Sequence, residues 1–121
     1  MRPAAVLVAL LTACGAPGPA TLTQIEKEVF AKSCAFTSCH VGSSPAGGLS
    51  LEGRTHANLV NALAVGAPSE LRVVPSKPES SWLMKKLTAR PPVTPMPPDE
   101  ALDATRLELV RSWIAGGAKN D

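Results

Sequence analysis

Apolar side chains recur at helical spacing in four stretches of the chain, and residues typical of helix caps precede them. The run Thr23-Gln24-Ile25-Glu26 is a capping box with Thr23 as N-cap, and it predicts a helix over residues 24–33. Thr55 is expected to cap a short helix over residues 56–64 that carries Leu59, Val60 and Leu63.

Two further helices are predicted in the second half of the chain. The run Ser76-Lys77-Pro78-Glu79 is another capping box with proline in the first turn, and it predicts a helix over residues 78–88. Asp103 is expected to cap the last helix, which should continue until the pair Gly116-Gly117 stops it.

The stretches between these helices are predicted to be loops. Residues 41–53 are rich in Gly, Ser and Pro, and residues 90–98 contain five prolines, which no regular helix accommodates. Strand-like alternation does not persist anywhere in the chain. The pattern therefore predicts an all-α fold.

The composition indicates that the side chains of this protein supply few large aromatic groups for a hydrophobic core. The chain has 121 residues, 45% of them hydrophobic, but only 3% are aromatic, with two Phe, two Trp and no Tyr. Another large body is therefore expected in the core. The formal net charge of +2 is too small to indicate a nucleic-acid partner, so none is expected.

The amino terminus has the pattern of an export signal. A short positive start precedes the apolar run Ala4–Leu11, whose eight residues would extend about 12 Å as a helix, far less than a bilayer core of about 30 Å. The run is typical of a signal peptide over residues 1–13, with the alternative of an ordinary secretory signal followed by an incidental cysteine.

The tetrapeptide Leu11-Thr12-Ala13-Cys14 resembles the bacterial lipoprotein processing site. The resemblance implies that Cys14 is acylated and becomes the first mature residue, which would anchor the protein to a membrane from outside the cytoplasm, in the periplasm or at the cell surface. Residues 14–22 are then predicted to form a flexible tether, and residues 23–121 the folded domain.

The candidate chemistry lies in the stretch Cys34-Ala35-Phe36-Thr37-Ser38-Cys39-His40. A cysteine directly followed by a histidine suits covalent haem attachment, in which thioether bonds fix the porphyrin edge and the imidazole binds the iron. Two alternatives remain open: a disulfide between Cys34 and Cys39, and a zinc site that also includes His40 and His56.

This stretch resembles the attachment motif of class I c-type cytochromes. The resemblance implies one covalent haem c held by Cys34 and Cys39, with His40 as an axial iron ligand. The usual motif has two residues between the cysteines, whereas this chain has four. Some c-type cytochromes carry that wider spacing.

The sixth iron ligand is expected to be Met96. The run Thr94-Pro95-Met96-Pro97-Pro98 resembles the Met-Pro loop that brings a thioether sulfur over the distal haem face in this family. The other candidates are Met84, which is expected to fill an apolar helix face, and His56, which is expected to be a solvated or capping residue.

Three further runs are similar to haem-binding domains of exported proteins from planctomycetes and myxobacteria: Arg72-Val73-Val74-Pro75, Ser81-Trp82-Leu83 and Trp113-Ile114-Ala115-Gly116-Gly117-Ala118. The similarity extends over about residues 25–118 and implies a small cytochrome c-like helical domain wrapped around one haem. The side chains expected to pack the haem are Phe30, Phe36, Leu49, Leu51, Leu59, Trp82, Leu87 and Trp113.

The resemblance implies a non-enzymatic protein that passes single electrons to and from redox protein partners. The alternatives are a haem-based sensor of small ligands and a non-haem lipoprotein with a Cys34–Cys39 disulfide. Five basic residues are expected near the haem rim, and Glu79 is the one acidic residue between residues 72 and 90. This local surplus of positive charge indicates either a docking surface or charges that balance the haem propionates. These residues are Arg72, Lys77, Lys85, Lys86 and Arg90.

Overall fold

The computed structural model describes residues 18–121, and the predicted signal peptide and Cys14 lie outside them. The first helix is continuous and consists of an α-helical turn (Leu22–Ile25), a π-helical segment (Glu26–Phe30) and a final α-helical turn (Ala31–Ser33). The other elements are the second helix (Thr55–Leu59), the strands Leu63–Ala64 and Ala67–Leu71, the third helix (Trp82–Leu87), the last helix (Ala104–Ala115) and short 3-10 turns at Ala46–Gly48 and Pro78–Ser80.

The first helix starts two residues earlier than predicted, because Thr21 and not Thr23 is its N-cap. The side chain of Thr21 accepts a hydrogen bond from the Gln24 amide at 3.1 Å. Thr23 has another role, since its amide and its hydroxyl both donate to the backbone carbonyl of Asp121 at 2.9 Å. This contact joins the first helix to the C-terminal residues.

The second helix ends at Leu59 and not at residue 64, since the chain turns into a β-hairpin. Leu63 and Ala64 pair with Leu71 and Ala67 in an antiparallel arrangement. Asn61, at a left-handed φ of 56°, directs the chain out of the helix. The all-α prediction therefore needs correction: the described domain is mainly helical with one small two-stranded sheet.

The predicted helix over residues 78–88 divides into a 3-10 turn and the shorter third helix. Ser76 has a φ of 66° and does not act as the predicted N-cap, which requires extended backbone. The division falls at Ser81, whose buried hydroxyl donates to the Lys77 carbonyl and accepts from the Val74 amide, both at 2.9 Å. These bonds join the segment before the helix to its start.

The last helix agrees with its predicted limits. The Asp103 side chain accepts from the Arg106 amide at 2.8 Å, and Gly116 is the C-cap. A side chain at Gly116 would collide with the ring of Pro19, so the close approach of the N-terminal segment requires glycine there.

The core lies between the first and last helices and extends to the second and third helices. Its buried members include Ile25, Phe30, Leu59, Val73, Met84, Val110, Trp113 and Ile114. Packing begins before the predicted domain start at residue 23, because Ala20 and Leu22 are buried and the Ala20 amide donates to the Ser112 hydroxyl at 3.1 Å. Within residues 18–121, no helix has the length and apolarity that a membrane span requires.

Candidate functional site

An apolar cavity of about 300 Å³ opens beside the core. Its lining comes mainly from the first helix and the loop that follows it, and from the third helix and the loop after it. The apolar side chains that line it include Val29, Phe30, Leu49, Leu51, Leu59, Trp82, Leu83 and Leu87. A cavity of this size and character is typical of a buried ligand site.

His40 lies on the wall of this cavity in a fixed orientation. Its Nδ1 atom is 3.1 Å from the carbonyl oxygen of Leu49, and its own carbonyl accepts from the Leu51 amide at 2.8 Å. Because a carbonyl only accepts, the hydrogen bond requires the proton on Nδ1. The lone pair of the neutral ring is therefore on Nε2, the arrangement of a metal-binding histidine whose other nitrogen is oriented by the backbone.

Met96 lines the same cavity from the proline-rich loop that follows the third helix. It is half-buried against the core, and its amide donates to the Lys86 carbonyl at 2.9 Å. The structure thus brings His40 and Met96, which are 56 residues apart in sequence, to one apolar cavity.

The two alternative axial candidates do not line the cavity. Met84 is 2% exposed and belongs to the core, as predicted. His56 is half-buried and does not cap the second helix, and its Nε2 lies 2.8 Å from the carbonyl oxygen of Ala118, a contact that joins this helix to the C-terminal segment. Ala118 is itself buried in the core, so its contact with this part of the core explains the position of His56.

The two cysteines lie at the edge of the site as free thiols. Cys34 lines the cavity at the end of the first helix, while Cys39 is half-buried outside the cavity lining. Burial, and secondarily the nearby Cys39, raises the pKa of the Cys34 thiol to about 11. Within residues 18–121, no disulfide joins the pair and no group of three metal-ligating side chains is found.

Two of the predicted haem-packing residues lie elsewhere. Phe36 is 47% exposed, because it projects from the short loop between the cysteines. Trp113 is 1% exposed within the helical core, where its Nε1 donates to the Lys119 carbonyl at 2.9 Å. The remaining six predicted residues line the cavity.

Arg72, which was predicted near the haem rim only as one of five basic residues, lies on the cavity wall. Its guanidinium donates to the carbonyls of Asn58 at 2.9 Å and Gly47 at 3.1 Å, and burial lowers its pKa. Asn58 in turn donates to the Ser50 carbonyl at 3.0 Å. Hydrogen bonds at Gly47 and at Ser50 therefore hold the loop on both sides of Leu49.

Two of the basic residues predicted near the site have partners on neighbouring segments. Lys85 forms an ion pair with Glu70 at 2.9 Å, and Lys86 donates to the Thr94 carbonyl. Glu79, the one acidic residue between residues 72 and 90, forms an ion pair with Arg111 of the last helix and not with any of the five basic residues. Glu70 thus compensates the charge of Lys85, whereas the contact with a neutral carbonyl leaves the charge of Lys86 in place.

A helical domain that combines a cysteine-histidine pair with an apolar cavity and a methionine on its wall has the features of a c-type cytochrome. The family model described as Planctomycete cytochrome C matches residues 37–100, which is more than half of the chain. The chain belongs to this family. No curated protein and no solved structure matches it significantly.

Family membership implies binding of haem c and a domain of the electron-transfer type. The residues present fit that group: the cavity is apolar, and an imidazole nitrogen and a thioether sulfur, both iron ligands in cytochromes c, belong to its wall. The family match includes Cys39, His40 and Met96 but begins after Cys34.

Proposed function

We propose that this protein is a monohaem c-type cytochrome that carries single electrons outside the cytoplasm while a lipid on Cys14 holds it to a membrane. The observation that carries the proposal is the meeting of His40, with its tautomer fixed by Leu49, and Met96 at one apolar cavity. In this assignment His40 and Met96 are the axial ligands, and Cys34 and Cys39 hold the haem covalently.

The haem iron supplies the one-electron change between its two oxidation states. The protein side chains keep water away from it and hold the two ligands; a neutral sulfur ligand favours the reduced iron and raises the reduction potential. The proposal contains no catalytic step on a substrate. One haem is assigned because the sequence contains one Cys-His dipeptide, Cys39-His40.

The first experiment is the pyridine haemochrome spectrum of the full chain, produced in a bacterium that has the cytochrome c maturation system. We expect the spectrum of a thioether-bound haem and one haem per chain. A purified folded chain without covalent haem would contradict the proposal and would support the non-haem lipoprotein instead.

Haem staining after denaturing electrophoresis tests the two cysteines. Cys39→Ser should abolish stable covalent haem because Cys39 directly precedes the proposed iron ligand His40, whereas Cys34→Ser should leave a weaker product with a single thioether. Thr37→Ala, at an exposed position between the two cysteines, is the control and should stain like the wild type. Wild-type staining of Cys39→Ser would show that the attachment motif is misassigned.

The proposed export and lipid anchor rest on the sequence of residues 1–14. Mass spectrometry of the mature protein should find Cys14 at its amino terminus with acyl chains attached. Cys14→Ser should move the protein from the membrane fraction to the aqueous fraction of the periplasm or medium. An unmodified Cys14 in a protein that sediments with membranes would contradict the anchor.

We further propose that redox protein partners approach the cavity side of the domain. Val65, at the tip of the hairpin, lines the cavity and is 69% exposed, and exposed Arg90 follows the third helix. Arg90→Glu should slow reduction by the native donor at low salt, whereas Lys119→Glu, at the C-terminal end of the domain, should not. Equal rates for the two variants at every ionic strength would contradict this docking side.

A further inference from the structure

Two hydrogen bonds join the loop that carries Met96 to the third helix, and both involve Lys86 of that helix. The Lys86 carbonyl accepts from the Met96 amide at 2.9 Å, and the Lys86 ammonium donates to the Thr94 carbonyl. The two contacts lie on either side of Pro95, which has no amide proton of its own to contribute. Backbone and side chain of a single lysine thus hold the segment that places the thioether.

The surroundings of Lys86 distinguish it from an ordinary surface lysine. Its side chain is half-buried and lines the cavity together with Leu83, Leu87 and Met96. The hydrocarbon stem therefore packs along an apolar wall while the ammonium reaches the loop, an arrangement that long cationic side chains favour. A charged donor also makes a stronger hydrogen bond than a neutral one.

Lys85, its neighbour, provides a comparison within the same helix. It is exposed, its ammonium pairs with Glu70 on the hairpin, and it is not among the cavity-lining residues. The two lysines have the same charge and adjacent positions, but only Lys86 contacts the loop that carries Met96.

We propose that Lys86 is a positioning residue that keeps Met96 over the cavity and thereby determines how readily the sixth iron position opens to an external ligand. This inference rests on the proposed function, because it takes Met96 as the iron ligand. The backbone contact from Lys86 persists in any substitution, so the proposal concerns the ammonium contact with Thr94.

The test compares haem-loaded wild type with Lys86→Met, which keeps the apolar stem and removes the ammonium, and with the matched control Lys85→Met. The measurement is the affinity of the oxidised protein for imidazole, followed together with the sulfur-to-iron charge-transfer band. We expect Lys86→Met to bind imidazole about tenfold more tightly, the effect of losing one charge-assisted hydrogen bond that holds the competing ligand. Lys85→Met should bind imidazole like the wild type.

Two conservative variants separate positioning from general stability. Lys86→Arg keeps a charged donor and should restore the wild-type affinity, and Lys86→Gln keeps a neutral donor and should give an intermediate value. These variants also serve as the test if Lys86→Met does not load haem. Thermal unfolding of each variant gives its change in stability. Across the series, the change in stability should not correlate with the affinity for imidazole.

Wild-type affinity for imidazole in Lys86→Met, or an equal increase in Lys85→Met, would overturn the role of Lys86 while leaving the proposed function intact. If Lys86→Met is not obtained, wild-type affinity in Lys86→Gln would overturn it in the same way. A wild-type haem protein without the charge-transfer band would overturn the assignment of Met96, and the role of Lys86 with it.

Discussion

The Nδ1 atom of His40 lies 3.1 Å from the carbonyl oxygen of Leu49, nine residues further along the chain. This one contact fixes both the ring orientation and the tautomer, and it places the lone pair of the neutral ring on Nε2, the atom that would bind iron in the proposed function. The contact depends on the position of the loop that contains Leu49. Hydrogen bonds from Arg72 to the Gly47 carbonyl and from Asn58 to the Ser50 carbonyl set this position.

The Asn58 contact predicts a change in reduction potential. Asn58→Ala removes the bond to Ser50, loosens the Leu49 carbonyl and weakens its hydrogen bond with His40, which makes the imidazole a poorer electron donor. We expect the potential to rise by less than about 60 mV, the one-electron equivalent of a tenfold change in equilibrium constant. Redox titration measures this, with Asn120→Ala, at an exposed C-terminal position, as the control. An unchanged or lower potential in Asn58→Ala would contradict the role of this loop.

The raised pKa of Cys34 predicts a pH-dependent reactivity in the haem-free protein. A thiol whose pKa is about 11 is almost wholly protonated at pH 8, and only the thiolate reacts with iodoacetamide. Alkylation of Cys34 should therefore be slow at pH 8 and should accelerate as the pH rises towards about 11.

The control for Cys34 is the same residue in the unfolded chain. In denaturant the pKa should return to its ordinary value, and alkylation at pH 8, followed by peptide mass spectrometry, should become faster. Circular dichroism establishes that the haem-free chain is folded in the absence of denaturant. Equal rates in the folded and unfolded chains would show that Cys34 is not buried as described.

Met84 should contribute to stability and not to the iron spectrum. It is 2% exposed in the core, so Met84→Ala should lower the free energy of unfolding by about 2–5 kcal/mol. Leu63→Ala, at a side chain that is 62% exposed, should change the free energy of unfolding by less than about 0.5 kcal/mol. Denaturant unfolding of the haem-loaded proteins measures both, and a small loss in Met84→Ala would place this methionine outside the core.

The features that could be predicted from sequence are those determined by neighbouring residues. The Asp103 cap, the end of the last helix at Gly116, and the adjacency of Cys39 and His40 are local, and the structure retains them. The grouping of Met96 with His40 was predicted from the family resemblance of a proline-rich loop. The structure places Met96 and His40 on the wall of one cavity, and the role of Met96 as an iron ligand stays a prediction.

The features that could not be predicted depend on contacts between distant segments. Thr21 and Thr23 are both suitable caps, and the C-terminal carbonyl of Asp121 decides between them by engaging Thr23. The first hairpin strand, with two residues, is too short for alternation to be visible, and the second, with five, contains a proline, which is atypical of strands. The run that contains Arg72 does not indicate its hydrogen-bond partners, because only the folded chain brings Gly47 and Asn58 within reach of its guanidinium.

The sulfur-to-iron charge-transfer band of the oxidised protein, recorded in the wild type and in Met96→Ala, tests the central claim most directly. The claim is that His40 and Met96 hold the haem iron from the wall of one cavity. The band should be present in the wild type and absent from Met96→Ala, which should keep its covalent haem and have a lower reduction potential. A band that persists in Met96→Ala, or a wild type that lacks it and whose spectrum changes in His56→Ala, would contradict the assignment.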